Sequence, residues 1–230
     1  MGNLGDFIRG NFMHVAPIMI AGFIAVAIVV ERTWALVYIY PIKQFPKFFE
    51  KLQDLLMADK LPEAIALCDR YKTKPAARVV REALLRAHQP EALIQDGIEV
   101  AVNEATDQIR QRTPFLGTIA NVSTLLGLFG TIVGLIRSFE AVGSAAAQQK
   151  STLLAQGIST AMNATMMGLG VAIPCMVAFS FLMNRTNRLN SEVDRAAVKV
   201  LDLINQRYYS AEMELTGGQG GGKAPFQKAN

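Results

Sequence analysis

The sequence predicts an all-α integral membrane protein: three transmembrane helices joined to long cytoplasmic helical extensions. Three observations carry this. Apolar residues make up 51% of the 230 and fall into long blocks. Three of those blocks approach or exceed the roughly 20 residues that a bilayer-spanning helix needs. The hydrophilic segments between them carry apolar residues at three- and four-residue spacing, the mark of amphipathic helices.

The first block runs from about His14 to Val30 and closes on Glu31-Arg32, with Trp34, Tyr38 and Tyr40 as an interfacial belt. The Ala25-Val26-Ala27 triplet resembles a leader-peptide cleavage site. Apolar residues continue on both sides of it without a turn, so a retained helix is expected. His14 can titrate, but its place at the outer end of this span reads as an interface residue. The second block, Phe115 to Ile136, holds no charge, and the third lies inside the uncharged run Ser151–Asn184.

Lys and Arg orient the chain. Twelve lie between residues 41 and 112 and seven follow Asn184, whereas only Arg137 and Lys150 flank the short segment between spans two and three. The positive-inside rule puts the N-terminus outside and the 41–112 segment and the C-terminus inside. The expected order is then a periplasmic N-terminus (1–13), span one (14–36), a cytoplasmic helical region (37–112), span two (113–137), a short periplasmic loop (138–152), span three (153–184), a cytoplasmic helix (185–214) and a flexible Gly-rich tail (215–230). A multi-pass location in a membrane is expected.

Within the cytoplasmic region, Phe45, Phe48, Phe49, Leu52, Leu55 and Leu56 form one stripe. Pro62 opens a short helix over Glu63–Arg70, ended before Lys74-Pro75. Ile94, Ile98, Ala101, Ala105 and Ile109 mark a further face, and one long helix is expected from there into span two, kinked near Thr113-Pro114. Leu189, Val193, Ala196, Ala197, Val200, Leu203 and Ile204 extend span three into the cytoplasm, for packing within the chain or between subunits. Gly217 to Gly222 has linker composition. Cys68 and Cys175 lack the spacing of a disulfide or metal framework and read as reduced structural thiols. The charge of +4 does not point to nucleic acid. No phosphate-binding glycine loop, metal cluster or nucleophile elbow is present, so neither an enzyme nor a cofactor is expected.

Chemistry concentrates in spans two and three. On span two, Thr124, Gly127, Thr131 and Gly134 share a face, and Gly130 and Gly134 make a small-xxx-small pair. On span three, Gly157, Thr160, Ala161, Ala164, Thr165, Gly168 and Ala172 share another, with Ser159 and Asn163 beside it. Pro174 can bend that helix, since neighbouring helices can satisfy the freed carbonyl. Two readings stand: close helix packing alone, or a hydroxyl-lined path between subunits. Because no Asp, Glu, Lys or Arg lies in either apolar run, a proton path here needs a carboxylate from a partner. A small-solute transporter is disfavoured, as there is no inverted repeat around a midplane charge.

In these strings the chain resembles the MotA/TolQ/ExbB proton channel family, in size and layout its TolQ/ExbB branch. The carrying residues are Glu31-Arg32, Leu116-Gly117-Thr118-Ile119-Ala120, and Leu125-Leu126-Gly127-Leu128-Phe129-Gly130-Thr131-Ile132-Val133-Gly134. In span three they are Gly157-Ile158, Ala164-Thr165, Gly168-Leu169 and Ala172-Ile173-Pro174. The resemblance implies a homopentamer whose second and third spans line a pore around a dimer of an ExbD/TolR-like single-span protein, which supplies the titrating Asp. Proton flow past that Asp drives motion, and a periplasm-spanning effector of the TonB/TolA kind receives the work. It further implies that Thr131 and Thr165 are the pore threonines; by their place on the same spans Thr160, Thr124 and Asn163 are expected to line the pore as well, and Gly127, Gly130, Gly134, Gly157, Gly168 and Pro174 to serve helix packing. One departure stands out: where many relatives carry Ile-x-Glu-Ala, this chain reads Ile158-Ser159-Thr160-Ala161, so a Glu-dependent entry path does not carry over. The competing reading is a non-conducting scaffold that anchors a periplasm-spanning complex.

Overall fold

The computed structural model describes residues 12–42 and 44–217, with side chains from 16 to 209. The expectations for the N-terminal stretch up to residue 11 and for the Gly-rich run beyond residue 217 lie outside the described residues. So does the side chain of His14.

Helix is the only regular secondary structure among the described residues. Seven α-helices follow in chain order: α1 (Phe12–Trp34), α2 (Phe45–Met57), α3 (Leu61–Asp69), α4 (Pro75–Leu85), α5 (Glu91–Arg110), α6 (Thr113–Ser144) and α7 (Lys150–Gly217). A π-helical turn, Ala35–Ile39, extends α1. Three helical stretches are long and apolar enough to cross a membrane: Ala16–Ile39, Glu91–Ser144 and Lys150–Tyr209. The chain is a membrane protein with transmembrane helices.

Two compact units organise these elements. The first takes residues through Tyr38 together with Arg110–Asn187, and the second takes Ile39–Ile109 with the chain from Arg188 onward. In the first, α1 packs along α6, and α6 and α7 run antiparallel through a short connection at residues 145–149. In the second, α2, α3 and α4 bury Phe48, Phe49, Leu52, Leu56, Ala64, Ala77, Val79, Val80 and Leu84, and α7 adds Val193, Ala196, Val200 and Ile204.

Two local features differ from expectation. The long helix expected to run into span two with a kink near Thr113-Pro114 is instead interrupted there: α5 ends at Arg110 and α6 starts at Thr113. Arg112 takes a left-handed backbone (φ 63°), and Pro114, which lacks an N–H, sits in the first turn of α6. The segment from Lys74 to Pro90 holds a helix that was not foreseen, α4, with Pro75 at its first position and nearly all its apolar side chains buried. Span three extends, in line with its apolar stripe, without interruption as one helix, α7, and Pro174 lies exposed within it.

Candidate functional site

A seam of small residues holds α6 against α7. A β-carbon placed on Gly168 would sit 2.7 Å from the Ser123 carbonyl oxygen and 2.8 Å from Gly127 Cα. One on Gly127 would sit 3.2 Å from Gly168 Cα and 3.3 Å from Thr165 Cα. Further along, a β-carbon on Gly130 would sit 2.7 Å from Ala164 Cβ and one on Gly134 3.0 Å from Ala161 Cβ, while one on Gly157 would run into Ser138. The spacing of four and three residues on both helices keeps these positions in one antiparallel line. Glycine is required here because the two backbones touch. In such contact, Cα–H and carbonyl groups pack directly, which is how helices associate where water offers no hydrophobic drive.

The threonines fall beside this seam. Thr131 and Thr165 each follow, by one residue, a member of the Gly130–Ala164 contact. In an antiparallel pair, a step of about 100° on each helix turns both side chains to the same flank, at the same level. Thr124, two turns before Thr131, shares that flank. Thr165 donates its hydroxyl hydrogen across the pair to the Gly127 carbonyl at 3.3 Å. Thr131 donates to the Leu128 carbonyl at 2.6 Å and Thr124 to the Ala120 carbonyl at 3.1 Å.

The remaining polar candidates separate from this group. Thr160 lies on the opposite flank of α7, with its hydroxyl on the Gln156 carbonyl at 2.9 Å. Val171, eleven residues further and so on nearly the same side as Thr160, faces Gly22 of α1, where an added β-carbon would sit 3.2 Å from Val171 Cγ2. Helix α1 thus covers the Thr160 side of the pair. Asn163 is half-buried and turned away from α6.

Where α1 ends, Glu31 accepts two hydrogen bonds from Arg112, both at 2.6 Å, tying α1 to the start of α6. Arg185 donates to the Leu36 carbonyl in the π turn at 3.3 Å. Arg32 is 2% exposed, and its Nε has no acceptor among the described residues. In the sequence Arg32 reads as one of two flanking charges. Only the helix phase, which turns Glu31 outward and Arg32 inward, distinguishes them. No group of three or more potential metal ligands occurs among the described residues.

Comparison with known proteins locates the same region. The MotA/TolQ/ExbB proton channel family matches the chain over residues 71–195, which includes every residue of the seam and its flanks. The Tol-Pal system protein TolQ of Haemophilus influenzae is 38% identical over 106 residues, 45% of this chain and 46% of that protein. The putative biopolymer transport protein ExbB-like 3 of Synechocystis is 32% identical over 170 residues, 70% of this chain and 76% of the relative. The biopolymer transport protein ExbB of Neisseria gonorrhoeae is 26% identical over 212 residues, 83% and 94% of the two chains. Against TolQ of Haemophilus influenzae and of Pseudomonas aeruginosa, the chain spans about half the relative's length (46% and 54%).

Proposed function

The chain belongs to the MotA/TolQ/ExbB proton channel family, and from that premise we propose that it is the channel-forming subunit of a membrane motor driven by proton flow. Several copies surround a single-span partner whose membrane carboxylate carries the proton, and the α6–α7 pair of each copy lines the path. In this reading the subunit lies in the inner membrane with its N-terminus on the periplasmic side.

The observation that carries the proposal is the flank formed by Thr124, Thr131 and Thr165, on the side of the α6–α7 seam away from α1. Each hydroxyl hydrogen is engaged by a backbone carbonyl. Each oxygen therefore keeps its lone pairs for a donor arriving from outside the chain. A protonated carboxyl group is such a donor, and so is a water molecule or hydronium ion. An ionised carboxylate is not, since it only accepts. The flank is thus chemically matched to the neutral, proton-loaded form of a partner acid. It would ease loading inside an apolar environment where the charged form is costly.

The same hydrogen bonds support the scaffold reading in one respect. Thr165 already serves the seam by bonding Gly127, and a residue used for packing needs no second role. Flux separates the two. The complex with its single-span partner, reconstituted in liposomes loaded with a pH-sensitive dye, should acidify its lumen under an imposed potential only when the partner's membrane carboxylate is intact. A complex that assembles fully yet passes no protons under any driving force contradicts the channel reading.

A further inference from the structure

A cavity of about 480 Å³ lies in the unit built from α2 to α5 and the end of α7, apart from the threonine flank. Four of its lining residues are cations, Lys47, Lys51, Arg70 and Lys74, and none is acidic. Lys47, Lys51 and Arg70 form no ion pair among the described residues. The nearest acid in sequence to Arg70, Asp69, is held by Arg81 at 2.8 Å. Glu50 and Asp54 lie on α2 but bridge to neither lysine. Like charges gathered around one concavity repel, and an anion inside it would relieve that repulsion.

Backbone dipoles point the same way. Gln44 and Lys74, which also line the cavity, are the residues preceding α2 and α4, and neither caps its helix with a side-chain hydrogen bond. The first N–H groups of both helices lack partners from a cap, and their partial positive charge adds to that of the side chains. The Tyr71 ring packs edge-on against Phe48 at 5.5 Å between centroids, which holds the wall in place.

Position identifies the source of the anion. Pro41 and Ile42 line the cavity and follow, in the chain, the exposed, mutually packed Trp34 and Tyr38 at the end of the first span. Three residues of chain, at most about 11 Å, separate the lining residue Pro41 from Tyr38. Lys74 donates to the Ile39 carbonyl and holds this connection against the cavity. We propose that the cavity is a phosphate-binding site for the headgroup of an anionic phospholipid of the adjacent leaflet. It anchors the second unit to the membrane surface, whether or not the complex conducts.

The test uses the full chain in nanodiscs, with bound lipid counted by native mass spectrometry on release. Phosphatidylglycerol should be retained over phosphatidylcholine of the same acyl chains, and salt should weaken that preference. The double substitution Lys47→Gln with Lys51→Gln should lower the preference about 25-fold, at roughly fivefold per lysine. Lys60→Gln with Arg195→Gln removes equal charge from exposed positions outside the cavity and should leave the preference intact. Melting in phosphatidylcholine alone reports whether the lining variant still folds. Equal losses from the lining and control pairs would overturn the site, because general surface charge would then suffice. Displacement of the lipid by inorganic phosphate in modest excess would overturn the headgroup assignment in favour of a soluble phosphate.

Discussion

Thr165 donates its hydroxyl hydrogen to the carbonyl of Gly127 at 3.3 Å, from one helix of the pair to the other. The bond is possible because Gly127 has no side chain and a β-carbon there would lie 3.3 Å from Thr165 Cα. One residue thus ties seam and flank together. Close packing of α6 on α7 sets the position of the hydroxyl that the proposed path uses.

The seam makes a clear prediction about substitution. Gly168→Ala puts a methyl 2.7 Å from a backbone oxygen, and a backbone cannot swing aside as a side-chain tip can. The cost expected is about 1–3 kcal/mol. Gly170→Ala, two residues away with nothing within 4 Å, should be neutral or stabilising by up to about 1 kcal/mol, because alanine favours helix. Thermal unfolding of both variants in the same detergent compares them. Equal melting temperatures would mean the helices are not in contact at Gly168.

The Glu31–Arg112 pair should matter less than its short bonds suggest. Both side chains are about half exposed (48% and 52%), and solvent screens such pairs to between 0.2 and about 1 kcal/mol. Glu31→Gln is expected to destabilise by no more than that. Arg112→Gly loses the same pair but relieves a left-handed backbone (φ 63°) that costs a non-glycine residue about 1 kcal/mol, so it should be near neutral. Unfolding measurements on both variants check the offset. A loss well above 1 kcal/mol in the glycine variant would show that Arg112 does more than pair with Glu31.

Cys68 is buried at the end of α3, and burial, reinforced by the adjacent Asp69, pushes its thiol from 9.0 up to about 12, against a smaller opposing effect of Arg81. The folded pKa exceeds the unfolded one. The stability tied to this thiol is therefore fully present below pH 9 and is lost as the pH climbs from about 9 to about 12. Three pH units correspond to about a thousandfold less thiolate near neutral pH. Maleimide at pH 7.5 should leave Cys68 unmodified in the folded protein and label it on unfolding, as read by mass spectrometry of the intact chain and its peptides. Rapid labelling of the native protein would contradict its placement.

Much of the architecture is legible in the sequence because membranes and helices impose long-range regularity. Uncharged runs of spanning length announce α1, α6 and α7, and the stripe from Phe45 to Leu56 announces α2. The glycines of the seam stand out by their spacing of three and four. Helix α4 escapes because Lys74-Pro75 reads as a break when only the end of α3 is in view, whereas proline equally opens a helix. The break before α6 depends on one backbone angle at Arg112, and composition does not encode that. The division of the threonines also needs three dimensions. Thr160 and Thr165 share a broad face in sequence, and only the contacts of Val171 with Gly22 and of Gly130 with Ala164 put them on opposite flanks. The basic cavity is likewise invisible in the sequence, since its cations come from α2, the end of α3 and the residue before α4.

The flank hydroxyls are tested most directly by single substitutions in the liposome assay. Thr131→Val and Thr165→Val keep the side-chain shape and remove the acceptor oxygen, while Thr→Ser at each position retains it. With oligomer and partner recovered in normal amounts, the account predicts that partner-dependent proton entry falls about tenfold or more in each valine variant, the equivalent of losing one hydrogen bond of about 1.4 kcal/mol. Serine should largely restore it. Flux in both valine variants equal to that of the unsubstituted protein would contradict a path along this flank.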